Sequence, residues 1–171
     1  MFVLLKDLIS LVYPDVCCVC GNSLTERERV ICIDCEHHLP RTRFHNDPEN
    51  PVIMSFWGRV EISSATAFLY FRRGTITQHL LHKLKYKGKK DVGRYLGEMF
   101  GRELVRSESY QTVDAIIPVP LHPAKKRKRG FNQSELIARG MSGVMCLTDL
   151  LSGKLFHPHK PGKTVLKDGK T

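Results

Sequence analysis

Apolar and polar positions follow two periods along this chain. At the start, Leu4, Leu5, Leu8, Leu11 and Val12 share one face of a short helix that Pro14 ends. Residues 41–59 hold two prolines among turn formers and read as a linker. From Ile62 to Phe71 the chain is rich in aromatic and β-branched residues, which predicts a strand closed by Arg72, Arg73 and Gly74. Thr75 or Thr77 then caps a helix carrying Ile76, Leu80, Leu81 and Leu84. A second helix starts near Asp91, with Val92, Tyr95, Leu96, Met99, Phe100 and Leu104 on its apolar face.

The period changes again near residue 113. Val113 to Val119 is an apolar run bounded by prolines, as expected for a strand buried on both faces of a parallel sheet. Pro118 and Pro120 lack the donor a central ladder needs, so the strand ends there. Lys125 to Arg129 are five consecutive cations, read as a loop. Gly130 permits a sharp turn, Asn132 is a good N-cap, and Glu135 stands where a capping box closes. Phe131 and Leu136 are placed for a hydrophobic staple, and Leu136, Ile137, Met141, Val144 and Met145 continue at helical spacing. A strand, a cationic loop and a capped helix N-terminus together make an anion site. Read alone, such a cationic run is more often a solvated face, a nucleic-acid patch or a localisation signal than a dedicated site.

Composition narrows the class. The 171 residues accommodate one domain with a small appended module, and 42% hydrophobic content supports a real core. A formal charge of +10 favours polyanionic partners without choosing among them. The first apolar stretch is too short to span a bilayer and lacks the flanks of a signal peptide, so a cytoplasmic protein is expected.

Five of the six cysteines lie between residues 17 and 35. Cys17 and Cys20 form one CxxC knuckle, Cys32 and Cys35 a second, with eleven residues between. Two such turns bring four thiolates to one tetrahedral ion, and four soft donors suit a structural Zn²⁺. Redox pairs or disulfides are the competing readings, weaker in a chain without export signals. Cys18 is an alternative to Cys17 but sits one residue too close to Cys20. His37 and His38 could replace a cysteine, or be surface residues. Cys146 reads as a small buried hydrophobe.

A second cationic cluster runs from Lys83 to Lys90 with Tyr86 inside it. Tyr86 is placed either to stack on a base or to pack inward beneath a solvated connector. His79 and His82 share a helix face but have no third ligand nearby and read as non-catalytic. The sequence has no paired-carboxylate, GxSxG or HExxH motif. Pro161-Gly162-Lys163-Thr164 looks like a Walker A ending, but His157 stands where the first glycine is required.

Three stretches taken together resemble the ComF family of competence-associated, phosphoribosyltransferase-like proteins. They are the paired CxxC knuckles, Leu84-Lys85-Tyr86-x-Gly88, and PVPLHP followed by RGFNQSELIA; the likeness covers about residues 5–145. It implies an α/β fold, a type I phosphoribosyltransferase-like parallel sheet with flanking helices, preceded by a small zinc ribbon. The implied layout is residues 1–40 for the N-terminal helix and ribbon, 41–59 for the linker and 60–171 for a partial transferase-like domain. In such domains the loop after the first core strand contacts pyrophosphate. That role falls here on Arg129, Gly130, Asn132 and Gln133, with Lys85 helping from the preceding helix.

One family feature is missing. The family's later DDVxTTG segment, which holds the ribose phosphate and Mg²⁺, has no counterpart here, so Mg²⁺ is expected only in a full-length relative. The chain is expected to stop early, to leave a sheet edge exposed, and to bind without turnover. The resemblance implies a protein binding 5-phosphoribosyl 1-diphosphate (PRPP) or another phosphorylated ligand and working in competence or DNA uptake. The alternatives are an accessory protein binding single-stranded DNA or a competence helicase without catalysis, and a bare zinc-ribbon adaptor.

Overall fold

The computed structural model describes residues 14–149; the N-terminal helix expected over Leu4–Val12 and the tail beyond 149 lie outside these. The order of regular elements is α1 (Ile33–His37), α2 (Pro51–Met54), α3 (Ile76–Tyr86), α4 (Lys90–Leu104), β1 (Ala115–Ile116), α5 (Pro123–Arg129), α6 (Gln133–Met145) and β2 (Thr148–Asp149). Short 3₁₀ turns at Phe44–Asn46 and Glu108–Tyr110 join them.

Helices α4 and α6 make the most extensive contact among these elements. Their apolar stripes fall where the sequence period puts them: Val92, Leu96, Met99 and Leu104 on α4 and Leu136 and Met145 on α6 are buried. The helices also approach through glycine. A Cβ added at Gly97 would lie 2.1 Å from the Ile137 carbonyl oxygen, and one at Gly93 would lie 2.9 Å from the Leu136 Cβ. Helix α3 adds Leu80 and Leu84 to the same core. That core continues without a break into Cys17, Val30, Ile31, Cys32, Cys35 and Leu39 of the cysteine module. Polar links reinforce the junction: Arg29 pairs with Glu98 at 2.6 Å, Arg41 with Glu103 at 3.0 Å, and the Tyr95 hydroxyl donates to Glu36.

The strand expected over Ile62–Phe71 forms only a single bridge, between Arg41 and Leu69. Thr42 N–H donates to the Phe68 carbonyl (3.0 Å) and Tyr70 N–H to the Pro40 carbonyl (2.8 Å). Its partner segment contains Pro40, which has no N–H, so the ladder cannot extend. Residues 41–59 are ordered around Asn50. This buried side chain accepts from Val52 and Ile53 N–H at the start of α2 and donates to the carbonyls of Phe44, Asp47 and Ala65.

Among the described residues the named strands are β1 and β2. They pair in parallel, Ala115 with Thr148 and Ile116 with Asp149, and α5 and α6 lie between them in the chain. Beyond β1, Ile117 and Val119 are exposed. A small second core of Leu104, Met145 and Leu147 sits beside this β–α–β turn.

Candidate functional site

The sulfurs of Cys17, Cys20, Cys32 and Cys35 all lie within 4.8 Å of one another. Local backbone geometry makes this happen. Gly21, at φ +82°, closes the first knuckle with its N–H on the Cys17 carbonyl (3.1 Å). Cys18 N–H bonds the Val30 carbonyl (2.9 Å), which lays the second knuckle beside the first. Between them Glu28 accepts from Thr25 N–H (2.7 Å) and Ile33 N–H (2.6 Å), clamping the connecting loop. These hydrogen bonds hold the exposed Glu28 carboxyl below its ordinary value.

The donor set fits a metal ion. Four thiolates about 2.3 Å from one tetrahedral ion stand roughly 3.8 Å apart; Cys20 and Cys32 Sγ are 3.6 Å apart. Backbone N–H groups of Val19 (3.4 Å) and Cys32 (3.3 Å) point at Cys17 Sγ. Burial pushes the Cys17 thiol up, but N–H donors of Cys32, Cys20 and Val19 outweigh it and bring it down to about 6. Burial and the neighbouring thiols push Cys35 up instead. These N–H donors favour the thiolate of Cys17, whereas burial favours the protonated form of Cys35, which a bound ion would have to displace. Cys18 packs against the core outside the cluster, and His38 Nδ1 lies 2.8 Å from the Asp34 carbonyl oxygen.

The second candidate site is cationic. Residues 125–129 are a helix and not a loop, with clear local reasons. Pro123 stands at the first helical position, and the His122 ring accepts from Ala124 N–H (3.3 Å). Lys and Arg are good helix formers and suit the negative C-terminal end. Gly130, at φ +75°, closes the helix with its N–H on the Lys126 carbonyl (2.7 Å).

This helix faces the end of α3 across an open cleft of about 510 Å³. Lys85, Tyr86, Gly88, Lys125, Lys128, Arg129 and Phe131 line it, and no carboxylate does. Lys85 and Arg129, distant in sequence, thus meet at one cleft. Lys125 and Lys128 join them because they fall at i and i+3 on α5 with Arg129 at i+4; that spacing was readable once the run is taken as helix. Phe131, read from the sequence only as a staple, is a buried wall of the cleft.

The remaining predicted residues stand beside the cleft. Gln133 Oε1 accepts from Arg129 Nη1 at 3.0 Å and so orients the guanidinium. Asn132 is buried; its Oδ1 accepts from Ser134 N–H (3.1 Å), capping α6, and its Nδ2 donates to the Val119 carbonyl (2.9 Å). Glu135 accepts from Arg139 at 2.6 Å. Gly130 and Asn132 line a smaller cavity of about 220 Å³ on the other side of Phe131. A further depression of about 500 Å³ lies by the cysteine module, and its Arg41 is already paired with Glu36 and Glu103.

Relatives at the level of whole sequence carry the name DNA utilization protein YhgH. The chain is 27% identical over 135 residues to that of Shigella flexneri, and 26% identical over 135 residues to that of Escherichia coli K12; each alignment covers 74% of this chain and 53% of the relative. For Salmonella typhimurium the figures are 27% over 143 residues, 78% of this chain and 56% of the relative. The chain therefore spans about half the length of the curated relatives it matches. No family model matches it. No solved structure matches it either. No helix among the described residues is long and apolar enough to cross a membrane.

Proposed function

We propose that this chain is the zinc-ribbon and pyrophosphate-binding portion of a ComF-type, phosphoribosyltransferase-like protein that works in DNA uptake or utilisation. The observation that carries it is the meeting of Lys85 and Arg129 across one cleft free of carboxylates. Four cations there match the charge of a diphosphate, and a guanidinium held by Gln133 offers paired N–H donors to phosphate oxygens. The parallel pairing of β1 with β2, joined through α5 and α6, is consistent with a crossover of a larger parallel sheet. The name printed for the relatives supports the link to DNA.

Zinc is the proposed ion at Cys17, Cys20, Cys32 and Cys35. With four thiolates closing the coordination shell it stabilises the fold and has no open position for chemistry. PRPP is the proposed ligand because it presents a pyrophosphate to the cleft; the acceptor base and any turnover belong to the whole protein.

Calorimetric titration with pyrophosphate and with PRPP tests the reading. Arg129→Ala and Lys85→Ala are each expected to weaken both ligands about tenfold or more, the worth of a charged hydrogen bond. Cys146→Ala should leave binding unchanged. Equal losses in all three variants would show the cleft has no special role.

A further inference from the structure

The four cysteines of the metal centre are not equally open. Cys17 is 1%, Cys35 5% and Cys32 9% exposed, whereas Cys20 is open to solvent. Hydrogen bonding separates Cys17 further. Its sulfur accepts from the N–H groups of Val19 (3.4 Å) and Cys32 (3.3 Å), and donors that stabilise a thiolate also make it a weaker nucleophile. The Cys20 sulfur lies 3.6 Å from that of Cys32, so the accessible sulfur has a second one within reach. A bound ion keeps its ligands as thiolates, the form that attacks electrophiles. Cys18 and Cys146 stand outside the cluster of four and are half-buried, with no such ion beside them.

We infer that Cys20 is a modification site for hydroperoxides, and that its oxidation opens the metal centre by closing a disulfide onto Cys32. This rests on reading the four cysteines as a zinc site. The Cys20 thiolate attacks one peroxide oxygen; an S–O bond forms, the O–O bond breaks and hydroxide leaves, giving a sulfenic acid. The Cys32 thiolate then attacks that sulfur; an S–S bond forms, the S–O bond breaks and a second hydroxide leaves. Two electrons have passed from the two sulfurs to the peroxide. The ion is left with Cys17 and Cys35, half of its donor set, and is released. The effect reaches beyond the module. Cys32 stands at the N-cap of α1, and Cys17, Cys32 and Cys35 share one core with Leu80, Leu84 and Leu96. Oxidation therefore loosens the seat of the cysteine module on α3 and α4.

The test uses the full chain with its metal bound, and zinc is measured with a chelating dye before any treatment. Hydrogen peroxide is added at about one equivalent per chain, and zinc release, free thiols and disulfide-linked peptides are followed together. About one zinc and two thiols per chain should be lost, with Cys20 joined to Cys32. Dithiothreitol with added zinc should reverse these changes. Under limiting N-ethylmaleimide, Cys20 should be labelled before Cys18 and Cys146. The Cys18→Ser/Cys146→Ser variant should release zinc at the wild-type rate. Cys20→His keeps a donor set of three cysteines and one histidine and should hold its zinc through the same dose. First oxidation at Cys18 or Cys146 with the zinc retained overturns the inference. So does a disulfide that leaves Cys20 out, or a zinc-loaded Cys20→His chain that releases its metal as fast as wild type. The peptide map and the labelling order decide the matter even where Cys20→His fails to load. Wild-type protein without zinc before treatment refutes the metal centre itself, an outcome read before any oxidant is added.

Discussion

Gly97 on α4 and Gly140 on α6 bring two helix backbones into direct contact: a Cβ at Gly97 would fall 2.1 Å from the Ile137 carbonyl oxygen, and one at Gly140 would fall 2.1 Å from that of Arg94. Neither neighbour is a side-chain tip that can swing away. The closeness of α4 and α6 sets where the α6 N-terminus, and with it Asn132 and Gln133, stands relative to α3 and Lys85.

Gly97→Ala should therefore destabilise the fold by about 3 kcal/mol, the upper end of overpacking costs. Gly143→Ala, on α6, is the opposite case, exposed and with nothing within 4 Å of the added carbon. It should stabilise by about 0.5–1 kcal/mol through helix propensity. Urea unfolding of the two variants checks both signs; a similar loss in each would mean the helices do not touch at Gly97.

Purified protein should carry about one zinc per chain. Cys20→Ser should lower the metal content and Cys18→Ser should not, as read by chelator-coupled absorbance. A folded, metal-free wild-type chain would refute the metal centre.

Glu28 makes the cysteine loop sensitive to acid. Its carboxyl is held below its ordinary value by hydrogen bonds from Thr25 and Ile33, so its stabilisation is complete above the unfolded carboxylate range. That contribution is lost as pH falls through the lower folded value. Glu28→Gln should thus lower the melting temperature at pH 7, and the gap from wild type should narrow as pH falls below the ordinary carboxylate pKa. A gap independent of pH would show that the side chain acts through shape alone.

Asn132→Ala removes the α6 cap and leaves the Val119 carbonyl without its donor, at a combined cost of about 2 kcal/mol. Asn132→Asp keeps the cap and should recover roughly half. Chemical denaturation distinguishes these; full recovery by Asp would mean that the bond to Val119 contributes nothing.

How far the sequence carried depended on how local each cause was. The cysteine knuckles were legible because ligand spacing and turn chemistry lie within a few residues of each other. The faces of α3, α4 and α6 were legible from their period, and Asn132 was legible as a cap. The stretch Ile62–Phe71 has strand composition but no partner able to build a ladder, and composition does not name a partner. Residues 41–59 looked like a linker because Asn50, the side chain that orders them, is polar and its role depends on carbonyls as far away as Ala65. The glycines at 93, 97 and 101 recur every fourth residue on α4; that spacing was visible, though only the neighbouring helix gives it meaning. The cationic run was read by its charge, while Pro123 and Gly130 had already marked the two ends of a helix.

That helix has a consequence for how the protein responds to its solution. No residue of α5 is buried, and four of its seven residues are cations crowded into the last turn. Salt screens their mutual repulsion and favours the helical form of the segment, yet the same salt weakens any anion's hold on it. The two effects oppose each other, so α5 should be most ordered at the extremes: in dilute buffer with a polyanion bound, or in concentrated salt with none. Between them lies an ionic strength at which the segment frays most readily, a loose hinge pin beside the cleft it lines.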